Sequence, residues 1–303
     1  MASSHDHAPD ARNARILVWL NGRLVPREEA VVSVLDAGFL MGDGIWEGLR
    51  VHAGCIPFLD RHLDRLFENA RALDLDLGLD RAGIRRALRD TLEANGMVEG
   101  AHVRLMFTRG VKSTPFQGTA VNRSGPTAVV LAEFKEPPPE VYVRGLALAT
   151  VWVRRGRPDV QDPAWNSHSK LNCVTASIAA DKAGADEGLM LDPHGFVATC
   201  NSTHFFVVRH GELWTSTGRY CLRGITRAVV LEVAQDLGLV TREKDFSVTE
   251  VYGADEAFCT GTYSGVLPVR SVDGRAFELP GPVTTRLREA YAARVASEAA
   301  KGW

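Results

Sequence analysis

Lys135-Glu136-Pro137-Pro138-Pro139 decides how the chain is divided. Three successive prolines fix φ and remove three amide donors, so the run belongs neither inside a helix nor in a central strand. It marks a linker over 137–145. Before it lies a domain at 15–136, preceded by a polar, aperiodic tail at 1–14 that reads as disordered. After it lies a larger domain at 146–303. Working back from the prolines, Thr127 to Phe134 and Val103 to Thr108 read as strands, and Ile16 to Leu20 runs into the hairpin-turn signal Asn21-Gly22. Val31 to Leu35 and Ile45 to Val51 read as further strands, on either side of the break Gly42-Asp43-Gly44. Two helices follow. Leu59, Leu63, Leu66, Ala70 and Leu73 recur at spacings of three and four, and Ile84, Leu88 and Leu92 line a second helix stopped by Asn95-Gly96.

Forward from the prolines, Leu146 to Val153 reads as a strand, Arg154 to Ser169 as a polar loop and Cys173 to Ala183 as a small-residue helix. Gly188 to Asp192, Phe196 to Ala198 and Phe205 to Arg209 form a hairpin-like series around the turn Pro193-His194-Gly195. Arg223-Gly224 opens a helix whose core face is Val230, Val233, Ala234 and Leu237. Asp255 to Cys259 is a strand that runs straight into Thr260-Gly261-Thr262. Strands mixed with helices on both sides of the linker give two α/β or α+β domains.

Composition narrows the function classes. With 35 Lys+Arg against 37 Asp+Glu in 303 residues, the net charge is -2, which provides no broad basic field for nucleic acid. Five cysteines, odd in number and without a C-x-x-C pair, exclude a dense disulfide framework and a standard zinc spacing. The nine histidines form no ligand-spaced cluster, so no metal site is expected. The first residues lack the apolar core of a secretory signal, and no apolar run approaches the roughly 20 residues of a membrane helix. The expectation is a cytoplasmic enzyme or binding protein acting on small molecules.

No G-x-S-x-G elbow, H-E-x-x-H, Walker A loop or helix-opening G-x-G-x-x-G is present. Two places could hold an anion instead. Gly224-Ile225-Thr226-Arg227 lies where a loop becomes a helix, with outward amides and a positive dipole end. Thr260-Gly261-Thr262 offers hydroxyls and amides after a strand. A simple helix cap and an ordinary turn are the competing readings. Lys170, in Asn166-Ser167-His168-Ser169-Lys170-Leu171-Asn172, lies between a polar loop and a helix. A solvated lysine is the ordinary reading there; a desolvated lysine beside a phosphate pocket is what Schiff-base chemistry needs.

From about Ile16 to Gly274 these segments, in this order, resemble the class IV (fold-type IV) pyridoxal-phosphate aminotransferases, the family of branched-chain and D-amino-acid aminotransferases and aminodeoxychorismate lyases. The matching stretches include Gly42 to Gly48, His62-Leu63-Asp64-Arg65-Leu66, Ser169-Lys170-Leu171-Asn172, Gly195 to Val208, Gly224 to Arg227 and Thr260-Gly261-Thr262. The resemblance implies a small N-terminal α/β domain and a larger C-terminal domain with a barrel-like β core. It implies pyridoxal 5′-phosphate as cofactor, an amino donor and a 2-oxo acid as substrates, and a homodimer. Lys170 matches the lysine that forms the internal aldimine and later moves the substrate proton. Arg65 matches the arginine of an H-x-x-R motif that pairs with the cofactor phosphate, against the plain reading of a solvated arginine. Gly224, Ile225 and Thr226 match the turn whose amides cup the phosphate, Thr262 matches a second phosphate threonine, and Leu222 matches the apolar side chain on the pyridine ring. Met41, Trp46, Arg104, Thr262 and Tyr263 match substrate-pocket positions. Arg104 is read equally well as a structural ion-pair residue, and Trp46 as core.

One departure stands out. The family pattern V-x-E-x-x-x-x-N-x-F reads here Val197-Ala198-Thr199-Cys200-Asn201-Ser202-Thr203-His204-Phe205-Phe206, so Thr199 replaces the glutamate that faces the pyridine nitrogen. A carboxylate keeps that nitrogen protonated; a neutral hydroxyl is expected to leave it unprotonated, with a weaker electron sink. Three readings follow: transamination persists, the site runs elimination or racemisation, or the chain is a non-catalytic member. Thr108-Arg109-Gly110 lacks the Arg/His pair that D-selective members place after it, and Cys173 to Ser177 lacks a tyrosine that branched-chain members carry.

Overall fold

The computed structural model describes His5 and residues 7–303. Residues 1–4 and Asp6, part of the tail expected to be disordered, lie outside the described residues. The chain gathers into two compact units. Ala8–Glu136, Trp165–Lys170 and Val295–Trp303 form the N-terminal unit, and Pro137–Ala164 with Leu171–Arg294 form the C-terminal unit. The division falls at Glu136/Pro137, but the expected second domain is not continuous: residues 165–170 and 295–303 belong with the first unit.

The N-terminal unit contains β1 (Leu17–Leu20), β2 (Arg23–Pro26), α1 (Ala37–Met41), β3 (Gly44–Arg50), α2 (Leu59–Ala72), α3 (Arg81–Ala94), β4 (Ala101–Thr108) and β5 (Thr127–Phe134). Its sheet has the order β2-β1-β5-β4-β3 and is antiparallel throughout. Asn21 and Gly22 both take positive φ, 49° and 90°, which matches hairpin twist to strand twist. Leu59, Leu63, Leu66 and Ala70 of α2 and Ile84, Leu88 and Leu92 of α3 are buried with Ile45, Leu49, Val103 and Leu105. Each of the buried leucines, isoleucines and valines contributes about 1.5–3 kcal/mol.

Two expectations for this unit are corrected. Ala11–Arg15 is a 3-10 turn rather than disordered tail, because Asn13 donates to Phe134 O and accepts from Phe134 N, at 2.9 and 2.8 Å. Val31 to Leu35 is not a strand: among the described residues its backbone meets a neighbouring chain segment only at its end, where Lys112 N donates to Leu35 O at 2.9 Å, and Val31 and Val34 are exposed.

The C-terminal unit contains α4 (Glu140–Arg144), β6 (Leu146–Thr150), α5 (Leu171–Lys182), β7 (Glu187–Leu191), β8 (Val197–Cys200), β9 (His204–Arg209), β10 (Glu212–Thr215), α6 (Ile225–Asp236), β11 (Thr241–Glu243), α7 (Val248–Tyr252), β12 (Glu256–Gly261), β13 (Gly265–Val272), β14 (Arg275–Ala276) and α8 (Pro282–Ala299) as far as Arg294. A mixed sheet runs β11-β10-β9-β12-β13-β6-β7-β8, with β14 beside β13, and curls around a core that includes Phe205, Val207, Phe246, Cys259, Leu267 and Val269. The expected linker is not featureless, since Pro139 leads directly into α4 with φ -54°, a value suited to a helix start. Among the described residues no helix is long and apolar enough to cross a membrane.

Candidate active site

β3 is an edge strand, so its outer amides and carbonyls need partners. The segment Trp165–Lys170 provides them. Trp46 N donates to Asn166 O at 2.9 Å and His168 N to Gly44 O at 2.8 Å. Asn166 Nδ2 donates to Trp46 O at 2.6 Å, and Trp46 Nε1 to Ser167 O at 3.1 Å. Two glycines permit this approach. A Cβ on Gly42 would meet Ser169 Oγ at 2.7 Å, and one on Gly44 would meet Phe107 O at 2.5 Å and the His168 ring at 3.0 Å. Gly42-Asp43-Gly44, a mere break in the sequence pattern, is the seat of the lysine segment.

Lys170 Nζ donates to Asn166 Oδ1 at 3.1 Å and lies 5.3 Å from the centre of the Trp46 ring. Arg104 stacks on the same indole, its Cζ 3.5 Å from the ring centre. Strand alternation explains the grouping: Trp46 and Gly48 share a sheet face with Met106 and Arg104, their partners on β4. Arg104 makes no ion pair among the described residues, so the structural reading of it has no counterpart here. Burial lowers its pKa. Met41, half-buried, ends α1 one residue before Gly42.

The other face of β3 carries Glu47, toward α2. His62 Nδ1 donates to Glu47 Oε2 at 2.7 Å; Arg65 gives Nε to Oε1 at 2.9 Å and Nη2 to Oε2 at 2.5 Å. All three are buried, so Arg65 is not a solvated arginine. Burial alone would raise the Glu47 pKa, but the Arg65 guanidinium, with the hydrogen bonds from His62 and Arg65, holds it below the ordinary value. Burial lowers the His62 pKa against the pull of Glu47, leaving a neutral imidazole at pH 7. Arg65 is thus gripped on the face of β3 opposite Trp46.

In the C-terminal unit, the first bond of α6 runs from Ala228 N to Gly224 O at 3.0 Å, so the amides of Ile225, Thr226 and Arg227 precede the ladder. No side chain caps this end, and Thr226 is buried. Gly224 is required by a close approach: a Cβ there would lie 2.3 Å from the His204 ring. His204 Nε2 donates to Leu222 O at 2.6 Å. In the β9–β12 ladder His204 stands opposite Thr260, which is fully buried with Oγ1 lacking a partner. Thr262 is half-buried two residues on, and Tyr263 is buried. An uncapped helix start, a glycine kept by exclusion and an orphaned buried hydroxyl on the strand that α6 packs against fit a phosphate-bearing cofactor.

Thr199 is buried at the end of β8, and its hydroxyl donates to Thr203 O at 2.8 Å. Thr203 Oγ1 donates in turn to Glu187 Oε2 at 2.7 Å. Glu187 is deeply buried; that burial, only partly offset by the hydrogen bonds from Thr203 and the Ser202 amide, pushes its pKa up to about 7.

The structure therefore gathers Trp46, Arg104 and Lys170 within one unit, and Leu222, Gly224 and the Thr260–Thr262 turn around His204 within the other. Arg65 is held apart from the lysine's indole. Sequence reading missed Glu47, Asn166, Glu187 and His204. Only His204 carried a signal, as the residue at the asparagine position of the V-x-E-x-x-x-x-N-x-F pattern.

Comparison with known proteins converges on one family. Residues 44–272 match the family model described as Amino-transferase class IV. The chain is 40% identical over 287 residues to branched-chain-amino-acid aminotransferase-like protein 2 of Arabidopsis thaliana, covering 93% of this chain but 51% of that protein. It thus spans about half the length of that relative. It is 33% identical over 286 residues to the branched-chain-amino-acid aminotransferase of Pseudomonas aeruginosa, covering 91% of each. The crystal structure of the branched-chain aminotransferase from the thermophilic archaeon Thermoproteus uzoniensis with norvaline superposes with a TM-score of 0.86 at 31% identity, covering 95% of this chain and 97% of that one.

Proposed function

We infer the activity from a membership: the chain belongs to the class IV aminotransferases, enzymes that use pyridoxal 5′-phosphate, and we propose that it moves an amino group from an amino acid or amine to a 2-oxo acid. The observation that carries this reading is the setting of Lys170. Its amine is half-buried, held by a neutral carboxamide and an indole, and shares that indole with a second cation, Arg104. A lysine amine held in such a setting is the nucleophile that an aldehyde cofactor requires.

Bound pyridoxal 5′-phosphate supplies the electron sink. The chain does the rest. Lys170 Nζ would hold the cofactor aldehyde and, when free of it, would carry the proton at the substrate Cα. The amides of Ile225 and Thr226, the turn at Gly224 and the hydroxyl of Thr262 bind the phosphate, and Leu222 packs on the ring. Thr199 would face the ring nitrogen. Arg65 is assigned to the phosphate on the H-x-x-R motif alone, since Glu47 already pairs with its guanidinium. Arg104, stacked and without an anionic partner among the described residues, takes the substrate carboxylate, while Met41, Trp46 and Tyr263 shape the pocket. Arg109 is excluded from such a role, since it is occupied by Asp43 and by the carbonyls of Leu73 and Asp74.

The assembly we propose is a homodimer. Val31, Val34 and Phe39 in one unit, and Leu171, Val174 and Ile178 on successive turns of α5 in the other, are exposed apolar side chains of the kind that mark protein contacts. Sedimentation at micromolar concentration tests it, and a monomer refutes it.

Borohydride treatment of the loaded protein tests the central reading. The expected result is bleaching, with the reduced cofactor mass on Lys170 and on no other lysine; Lys170→Ala abolishes both label and turnover. Incubation with amino donors should convert the cofactor to its pyridoxamine form. Ammonia release without that form would make the chain a lyase, and neither result would make it non-catalytic.

A further inference from the structure

A hydroxyl has one proton to give, and a carbonyl oxygen can only accept. The contact from Thr199 Oγ1 to Thr203 O, 2.8 Å, therefore uses the one proton Thr199 has. What Thr199 can still offer is a pair of lone pairs. These suit a protonated pyridine nitrogen and repel a bare one, the reverse of what replacement of the glutamate implied.

The acceptor, Thr203 O, is not free to drift. Cys200 N also donates to it at 2.9 Å, and the turn is tied to β7 at several points. Asn201 N donates to Gly188 O at 3.1 Å, Gly188 N to Asn201 Oδ1 at 2.7 Å, and Thr203 Oγ1 to Glu187 Oε2 at 2.7 Å. The Ser202 amide also donates to the Glu187 carboxyl. Glu187 thus fastens both residues that precede His204. It serves in either charge state, since the carbonyl oxygen of a protonated carboxyl accepts the same hydroxyl.

We propose that Glu187 is a positioning residue: through Thr203 it holds the Thr199 hydroxyl as an acceptor, so that the cofactor ring nitrogen stays protonated although no carboxylate touches it. The inference rests on the reading above that Thr199 faces that nitrogen.

The test is nitrogen NMR of the holoenzyme loaded with ring-15N pyridoxal 5′-phosphate, without substrate. Wild type should show a pyridinium at neutral pH. Thr203→Val, which deletes the tether to Glu187 at nearly constant volume, should weaken nitrogen protonation at least tenfold. Thr203→Ser and Glu187→Gln keep a donor and an acceptor in place and should stay within threefold of wild type. An unprotonated nitrogen in wild type overturns the proposal, and this measurement stands even where a variant fails to fold. So does a Thr203→Val nitrogen that matches wild type. A Glu187→Gln nitrogen as depleted as that of Thr203→Val would show that charge rather than position matters, and also overturns it. Borohydride labelling of the same samples separates the two levels: label on Lys170 with a bare nitrogen sinks this inference alone, whereas no label sinks the cofactor reading and this inference with it.

Discussion

Glu47 in the N-terminal unit and Glu187 in the C-terminal unit are the same side chain, both deeply buried, yet their pKa values move in opposite directions. Desolvation acts on each and favours the neutral acid. At Glu47 it is overcome by the two-pronged contact with Arg65 and the donor of His62. At Glu187 the hydrogen bonds that oppose burial come from neutral groups, the Thr203 hydroxyl and the Ser202 amide, and the nearby Asp186 pushes the same way as burial. Burial sets the cost of a charge; the partner decides whether the charge survives it. One unit therefore holds a fixed ion cluster behind the sheet, and the other a carboxyl close to its titration point beside the proposed ring-nitrogen residue.

The largest effect that can break this contrast is at Arg65. Replacing it with Met leaves Glu47 buried without its counter-charge and should cost about 3–5 kcal/mol at pH 7. Urea unfolding measures it, and the double change Arg65→Met with Glu47→Gln should recover a large part. A loss below about 1 kcal/mol would mean that Glu47 is not ionised in the folded chain, and the two carboxyls would no longer differ.

The next effect sharpens the contrast through pH. Glu187 has a folded pKa of about 7 against a reference of 4.5, so the folded state holds the proton more tightly. Its contribution to stability is then fully present below pH 4.5, is lost as pH rises from 4.5 to 7, and is flat beyond. The difference in pKa corresponds to about 3 kcal/mol over that window. Glu47 has the opposite sign: its contribution is present above its ordinary pKa and is lost as pH falls through the lowered folded value. Glu187→Gln should remove the decline between pH 4.5 and 7 and leave the acid limb unchanged. If wild type and Glu187→Gln have parallel stability profiles, the raised pKa is wrong.

The same contrast explains what the sequence could disclose. Leu59, Leu63, Leu66 and Ala70 are legible because a helix repeats its buried face every three or four residues, and all four are buried. Asn21-Gly22 is legible because a primed turn needs positive φ at both positions. Val31 to Leu35 misleads, since apolar content shows a strand only when a ladder partner exists, and the apolar side chains there are exposed. At the site, Lys170 and the helix start at Gly224 are visible as motifs. Their reasons are not: Gly224 is glycine because of His204, 20 residues away in the chain, and Lys170 is oriented by Asn166, which β3 holds from 120 residues away. Glu47 and Glu187 each sit in ordinary strand patterns, and the partners that set their charge lie on other elements.

The smallest effect concerns the donor rather than the charge. His62 is neutral at pH 7 because burial lowers its pKa, so it gives Glu47 a hydrogen bond but no counter-charge. His62→Leu should therefore cost about 1.5–3 kcal/mol, the range for a hydrogen bond to a charged group and less than the loss of Arg65. His62→Gln, whose amide can donate to the same oxygen, should cost less than about 1 kcal/mol. The histidine also leaves a signature in pH: an unfolded imidazole takes up a proton below about pH 6.5, whereas the folded one resists it, so the His62 contribution falls below that point, against the rise from Glu187, and the advantage of wild type over His62→Gln should shrink there. Equal losses for Leu and Gln would show that His62 acts by shape alone, and Arg65 would then be the one partner that keeps Glu47 ionised where Glu187 is not.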